Sequence, residues 1–226
     1  MEMTKIKLLE FQGLPLQKQL ELEEKLLKKE PGSFCLINHG CPPAIVLGTS
    51  NQQEKYLNLE LLKKEKKFLP VIKRFSGGGT VVIDENTLFV SFIIEKSALN
   101  FSFPEELFDW SEKFYKKVFN LPNFALKERD YLIGDRKCGG NAQYFTKKKW
   151  LHHTSFLFDF EEKNMDYLHF PPQTPMYRQK RSHKDFLTKL KNYFPDKKLF
   201  ISNLKKRLSL EFKSIEQSTV FEPIYA

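Results

Sequence analysis

The sequence predicts a mixed α+β fold, a mostly antiparallel central sheet flanked by helices, and three observations carry that expectation. Stretches of helical period and β-rich stretches are interleaved without the regular strand–helix alternation of a doubly wound sheet. Three β-rich segments follow one another between residues 129 and 159, as in a meander. The 226 residues, 41% hydrophobic and 14% aromatic, are enough for one large core. With no internal repeat and no low-complexity stretch, a single domain over 1–226 is the economical reading.

Residues 15–30 form an amphipathic helix, with Leu16, Leu20 and Leu27 near the helical period and Pro31-Gly32 as its stop. Strands follow at 33–38 and 44–48, joined by a turn containing Gly40, Pro42 and Pro43. Residues 54–67 read as a second helix with a charged outer face. A short strand at 70–74 leads into a glycine run, and 80–84 and 88–94 are β-rich segments joined by the polar turn Glu85-Asn86. Residues 104–120 place Leu107, Trp110, Phe114 and Val118 on one side of a helix. The meander strands lie at 131–133, 142–146 and 150–160, and Lys147, Lys148 and Lys149 mark an exposed hairpin tip. Short helices are expected near 183–194 and 202–213.

Composition excludes several classes. No run approaches the roughly 18 apolar residues of a membrane span. The N-terminal stretch has no apolar signal core with a cleavage site, so the expectation is a cytoplasmic protein. Cys35, Cys41 and Cys138 are too few and too scattered for a disulfide framework or a zinc site. No metal site is expected. Thirty-seven Lys and Arg against 28 Asp and Glu give a net charge of +9, which attracts nucleic acid, anionic membrane or an acidic protein alike. No nucleic-acid module and no basic stripe interleaved with aromatics is visible, so neither nucleic acid nor membrane is expected as a partner.

Seven of the ten glycines sit in three places: Gly48, the run Gly77–Gly79, and Gly134, Gly139 and Gly140. The segment Arg74-Phe75-Ser76-Gly77-Gly78-Gly79-Thr80 lacks the spacing of a Walker or Rossmann loop. Three bare glycines let backbone amides lie against a phosphate or carboxylate, and Arg74 supplies a planar charged fork. A strain-relieving tight turn is the alternative. In Gly134-Asp135-Arg136-Lys137-Cys138-Gly139-Gly140-Asn141-Ala142-Gln143, a lysine between glycines can point inward at a bound anion, with Asn141 as a positioning amide. An exposed basic hairpin is the alternative.

Together the two clusters resemble the lipoate–protein ligase A branch of the biotin/lipoate ligase superfamily. The segments Ala-Ile-Val-Leu-Gly-Thr-Ser-Asn-Gln from Ala44, Lys-Glu-Arg-Asp from Lys127 and Trp-Leu-His-His-Thr from Trp150 agree in order and spacing. The resemblance covers roughly 30–200. It implies a class II synthetase-like catalytic domain without the C-terminal accessory domain of longer members, working alone or with a separate accessory subunit. It also implies that lipoate or octanoate and MgATP give an acyl-adenylate. The acyl group then passes to a lysine of an acidic lipoyl carrier, such as a 2-oxoacid dehydrogenase acyltransferase subunit or the glycine-cleavage H protein. By position, Lys137 matches the family's catalytic lysine, which contacts the lipoate carboxylate and the α-phosphate. Arg74, Ser76, Gly77, Gly78, Gly79 and Asn141 match the lipoate-binding set. Thr80, Val81, Val82, Ile83 and Asp130, with Lys137, match the nucleotide side. Ile83 stands where many members have His. A basic surface would steer acidic carriers in.

Two other readings stay open beside this one. ATP-independent acyl transfer between carriers would need a cysteine nucleophile, and Cys138 adjoins Lys137 in a strand, where neighbouring side chains point oppositely. A non-catalytic relative that binds lipoate or its carrier is the other, because of Ile83. Biotin ligation is disfavoured by the glycine-loop sequence. Arg178, Arg181 and His183, in a proline-rich basic stretch, serve either as a structural clamp or as contacts for an adenylate or carrier.

Overall fold

Hydrophobic patterning sorts the strands of the computed structural model into two sheets. Residues 4–65, 69–99, 101–212 and 214–221 are described. In chain order the first half runs β1 (Lys5–Phe11), α1 (Leu16–Lys28), β2 (Ser33–Asn38), β3 (Ala44–Leu47), α2 (Gln53–Tyr56), α3 (Leu59–Lys64), β4 (Val71–Lys73), β5 (Val81–Ile83) and β6 (Thr87–Glu95). The second half runs α4 (Pro104–Phe119), β7 (Phe124–Lys127), β8 (Asp130–Ile133), β9 (Arg136–Phe145), β10 (Lys149–Leu157), α5 (His183–Phe186), α6 (Lys197–Glu211) and β11 (Ser214–Phe221). Short 3-10 segments lie at Glu162–Tyr167, Met176–Arg178 and Leu190–Asn192.

The larger sheet has eight strands in the order β11-β1-β2-β6-β10-β9-β8-β7, and the smaller has β4-β3-β5. In the larger sheet the β11–β1–β2 edge is parallel and from β2 to β7 every pairing is antiparallel; in the smaller, β3 pairs parallel with β4 and antiparallel with β5. The mostly antiparallel α+β architecture is therefore the one the sequence predicts. β6 is buried at every position but its last, which accounts for its apolar character, broken only by Thr87, Ser91 and the terminal Glu95. One face of the sheet packs on α4 and α6 through a core containing Phe92, Phe114, Tyr115, Trp150, Phe156 and Phe200. Burying each such side chain contributes about 1.5–3 kcal/mol. α1 covers the other face, against β6 and β10.

The helix ends follow from local chemistry. α4 begins at Pro104, where a missing N–H costs nothing. The Glu106 carboxylate accepts from the amides of Ser102 and Phe103, at 2.6 and 2.9 Å. The helix ends on Asn120 in the left-handed conformation.

Several expectations need correction. The helix expected over 54–67 is broken into α2 and α3: Leu57 leaves helical geometry to bridge Leu168, and the Asn58 side chain then caps α3 by accepting from the Leu61 amide. Residues 66 and 67 lie outside the described set. Lys147 and Lys148 are exposed as expected, but Lys149 is buried. Its ammonium donates to the carbonyls of Leu26 and Glu30, satisfying orphan acceptors at the end of α1. The helix expected near 183–194 is one turn, α5, followed by the turn at Leu190–Asn192; the last helix starts at Lys197, earlier than expected, with Asp196 as its cap. Residue 213, its expected end, is outside the described set. Strands β1, β7 and β11 are not among the expected elements. β9 starts at Arg136, well before the expected 142, so the second glycine cluster lies in a strand.

Candidate functional site

The glycine run connects β4 to β5 and folds back against the end of β3. A Cβ on Gly48 would lie 2.1 Å from the Gly78 carbonyl oxygen, so only glycine at position 48 permits this approach. Gly78 itself has φ +106°, a conformation other residues rarely adopt. Asn51 then ties the loop down, its Nδ2 donating to the Gly78 carbonyl and the Thr80 hydroxyl, both at 3.1 Å. Arg74 is buried beneath the loop. Its Nε and Nη2 donate to the Gly77 carbonyl at 3.2 and 2.9 Å, and Nη2 also to the Gly79 carbonyl at 2.8 Å. Burial lowers its pKa to about 10, leaving it charged at neutral pH. The charged fork expected to face an anion is thus engaged by the loop's own backbone. Ser76 is also buried, and its carbonyl accepts from the Thr49 amide.

The opposite wall is built on β8 and β9. Tyr131 pairs with Gly139 and Leu132 with Lys137, so Cys138 is an extra residue, a bulge that re-aims its neighbours. The Cys138 thiol enters the aromatic core and donates to the Tyr131 carbonyl, and burial pushes its pKa far up. Lys137 turns the other way, its ammonium 2.6 Å from Asp130 Oδ1. A Cβ on Gly140 would come within 3.3 Å of that ammonium, so the glycine leaves room for the lysine to fold over the strand. The other Asp130 oxygen accepts from the Tyr177 hydroxyl at 2.8 Å. Burial, then the Asp130 charge and hydrogen bond, drive the Tyr177 pKa well up, keeping it a proton donor. Glu128 and Arg129, with φ of 47° and 74°, make the tight β7–β8 turn. The Glu128 carboxylate accepts from the amides of Met176 and Tyr177, and the Asn141 side chain donates to the Arg129 carbonyl.

Between the walls lie two adjoining cavities, of about 240 and 100 Å³, both lined by Gly79, Thr80, Val81, Ile83, Asp130 and Lys137. Val82 lines the larger one alone; Arg74 and Asn141 line the smaller one alone. Gly77 and Gly78 face a separate groove beside Phe108 and Arg129. Ile83 is buried against Leu16, Leu20, Val46 and Phe89, so an apolar cluster occupies this position. The smaller cavity is lined by Leu16, Leu20, Phe89 and Ala142 together with His153. His153 Nδ1 lies 2.8 Å from the buried Glu23 carboxylate and 3.0 Å from the Ser91 hydroxyl. Burial alone would raise Glu23, but the His153 charge and hydrogen bonds from His153, Ser91 and Gln19 hold its carboxyl below the usual range.

The sequence assigned no role to Asn51, Glu128, His153 or Tyr177, although three of them stand within the segments that carried the family resemblance. Tyr177 lies in the basic proline-rich stretch, and nothing in its neighbours in sequence connects it with Asp130. Chemically, the arrangement offers a lysine held between a smaller cavity walled in part by Leu16, Leu20 and Phe89 and one of more than twice its volume, with a carboxylate fixing its position. Among the described residues, no three His, Cys, Asp or Glu side chains gather as a metal-binding group. No helix in the same set is long and apolar enough to cross a membrane.

Comparison with known proteins agrees with this geometry. The chain is 29% identical over 231 residues to a Plasmodium falciparum protein named inactive lipoate–protein ligase 2, covering 84% of this chain and 59% of that one. It spans only 34–59% of the curated relatives' own lengths. A solved lipoate–protein ligase A bound with ATP superposes with a TM-score of 0.76 at 16% identity, over 99% of this chain and 90% of that one. The bipartite lipoate–protein ligase of Thermoplasma acidophilum, studied with its E2 lipoyl domain, gives 0.76 at 16% identity over 99% and 89%. At these identities the structures establish the fold, that of the class II biotin/lipoate ligases. The model of the lipoyl protein ligase A/B catalytic domain matches residues 15–213, and the chain belongs to that family.

Proposed function

We propose that the chain is the catalytic unit of a lipoate–protein ligase, a single domain that activates lipoate or octanoate with ATP. The observation that carries this reading is Lys137, which lines both adjoining cavities at their junction. The smaller cavity, with Leu16, Leu20 and Phe89 in its wall, suits an acyl chain, and the larger, with more than twice the volume, a nucleotide. Their junction is where a carboxylate oxygen would attack the α-phosphorus. That attack forms an acyl–phosphate anhydride and expels pyrophosphate. Two anions must approach, and the Lys137 ammonium, prepositioned by Asp130, offsets their repulsion. Thr80 to Ile83 would flank the nucleotide, and Arg74 would act by holding the lipoate loop in shape. Magnesium would enter with the nucleotide phosphates. In the second step, the amine of a carrier lysine attacks the acyl carbon, AMP leaves and the amine loses its proton, so no enzyme nucleophile is consumed. The partners we propose are acidic lipoyl carriers, attracted by the net charge of +9.

The decisive measurement is lipoate-dependent ATP–pyrophosphate exchange, followed by transfer to a purified acidic carrier. Exchange is expected, and Lys137→Ala should reduce it by at least about a hundredfold. Absence of exchange in the unaltered chain would overturn the ligase reading. A second reading is favoured by Ile83 and by the name of the P. falciparum relative: a chain that binds lipoate or its carrier without adenylating it. Lipoate binding without exchange would select it.

A further inference from the structure

The larger cavity holds a cation that the structure leaves without an anionic partner. Arg178 is 3% exposed and lines that cavity. Its guanidinium lies over two aromatic rings, 4.6 Å from the centroid of Phe170 and 4.7 Å from that of Phe186. Nε donates to the Arg181 carbonyl at 3.0 Å, but Nη2 is enclosed with no hydrogen-bond partner. Among the described residues no carboxylate forms an ion pair with it, whereas Lys137 in the same cavity is matched by Asp130. A buried, unpaired charged donor is costly, and such groups persist where a ligand completes them.

The surroundings hold Arg178 in place. Gln179 and Lys180 follow it with φ of 51° and 59°, two consecutive left-handed residues that are not glycine. Arg181 keeps that turn closed: its Nε donates to the Arg178 carbonyl, one Nη to the Asp135 carboxylate, and the other to the carbonyls of Asp135 and Tyr177. Arg181 is therefore the clamp. The free donor belongs to Arg178.

We propose that Arg178 binds the phosphate groups of the ligand in the larger cavity, donating from Nη2 to a phosphoryl oxygen. A full charge buried from water favours an anion over the neutral acceptors of a nucleobase, and a planar guanidinium held over two rings is preorganised for it. The assignment rests on the nucleotide reading of that cavity but extends it to a residue outside the glycine and Lys137 motifs.

The test compares binding of ATP, adenosine and inorganic pyrophosphate to the full chain and to its Arg178→Met, Arg178→Lys and Arg181→Met variants, with thermal melting as the folding control. Arg178→Met should weaken ATP and pyrophosphate binding by about ten- to a hundredfold while adenosine binding changes little. Arg178→Lys, which keeps the charge and the packing stem, should recover part of the loss. Arg181→Met should lower the melting temperature without changing the preference for ATP over adenosine. If the unaltered chain binds ATP and both Arg178 variants keep its preference over adenosine, the assignment is wrong and the ligase reading stands. If pyrophosphate binds through Arg178 while adenosine never binds, the phosphate site stands and the nucleotide reading falls. If no probe binds the unaltered chain, both are overturned.

Discussion

Arg74 and Arg178 are two buried arginines on opposite sides of the same pair of cavities. Arg74 donates three hydrogen bonds to two carbonyls of the glycine loop. Arg178 donates one, to a carbonyl three residues on, and leaves Nη2 enclosed and unused. The same side chain therefore does two kinds of work. On the glycine side the charge is absorbed by backbone dipoles and organises a loop. At Arg178 it is held ready over the Phe170 and Phe186 rings by a turn that Arg181 closes. The difference teaches that burial of a cation does not identify a ligand contact; the count of satisfied donors does.

The comparison can be broken most sharply at Arg74. Replacing it by Met removes the donors that hold the Gly77 and Gly79 carbonyls, and the variant should lose about 2–3 kcal/mol in urea denaturation. Arg178→Met, lacking carbonyl partners other than Arg181, should lose clearly less. Equal losses would show that Arg178 is as structural as Arg74.

A medium effect concerns acid. Burial, then the charges of Arg178 and Lys137, lower the His183 pKa to about 4, and burial with the His153 charge lowers His152 to about 3. Both are depressed below the ordinary histidine value, so the unfolded chain takes up protons first. Their contribution to stability is complete above about pH 6.5 and is lost as pH falls towards those values, by up to about 1.4 kcal/mol per pH unit for a fully buried group. His183 is partly exposed and should contribute less. NMR titration should place its midpoint near the folded value, and Arg178→Met should move that midpoint upward while leaving His152 unchanged. An unmoved His183 would show that the Arg178 charge is not felt across the cavity.

The smallest effect is expected at Gly140→Ala. Its Cβ would stand 3.3 Å from the Lys137 ammonium, the far end of a flexible side chain, so the lysine must give way slightly. A few-fold loss of exchange activity with unchanged melting temperature is expected; no change would mean that the lysine leaves Asp130 before it acts.

Much of the site was legible because glycine is scarce in this chain. Gly48, Gly78 and Gly140 mark places where backbone or a charged side chain comes close, and all border the two cavities or their supports. Lys137 was legible through its spacing from the first cluster. The fate of Arg74 was not, since the same guanidinium serves a loop or an anion according to contacts that are distant in sequence. Tyr177 reaches Asp130 across 47 residues, a pairing that periodicity does not encode. In the fold, Lys149 looked like one of three exposed lysines, yet it is buried with its ammonium on the carbonyls of Leu26 in α1 and of Glu30 just beyond it, 123 and 119 residues away. The helix expected over 54–67 failed in a similar way: its local pattern is helical, but Leu57 finds a partner in Leu168 and the helix yields to tertiary pairing.

The aromatic core behind the larger sheet has a practical consequence for optical experiments. Both tryptophans of the chain, Trp110 and Trp150, lie there with ring centroids 5.7 Å apart, flanked by Phe92, Phe101 and Phe114, and neither borders the two cavities. Indole emission and near-ultraviolet dichroism therefore report the assembly of the core. They should mark unfolding with a sharp change, and stay nearly silent while a ligand fills the space between the glycine loop and Arg178.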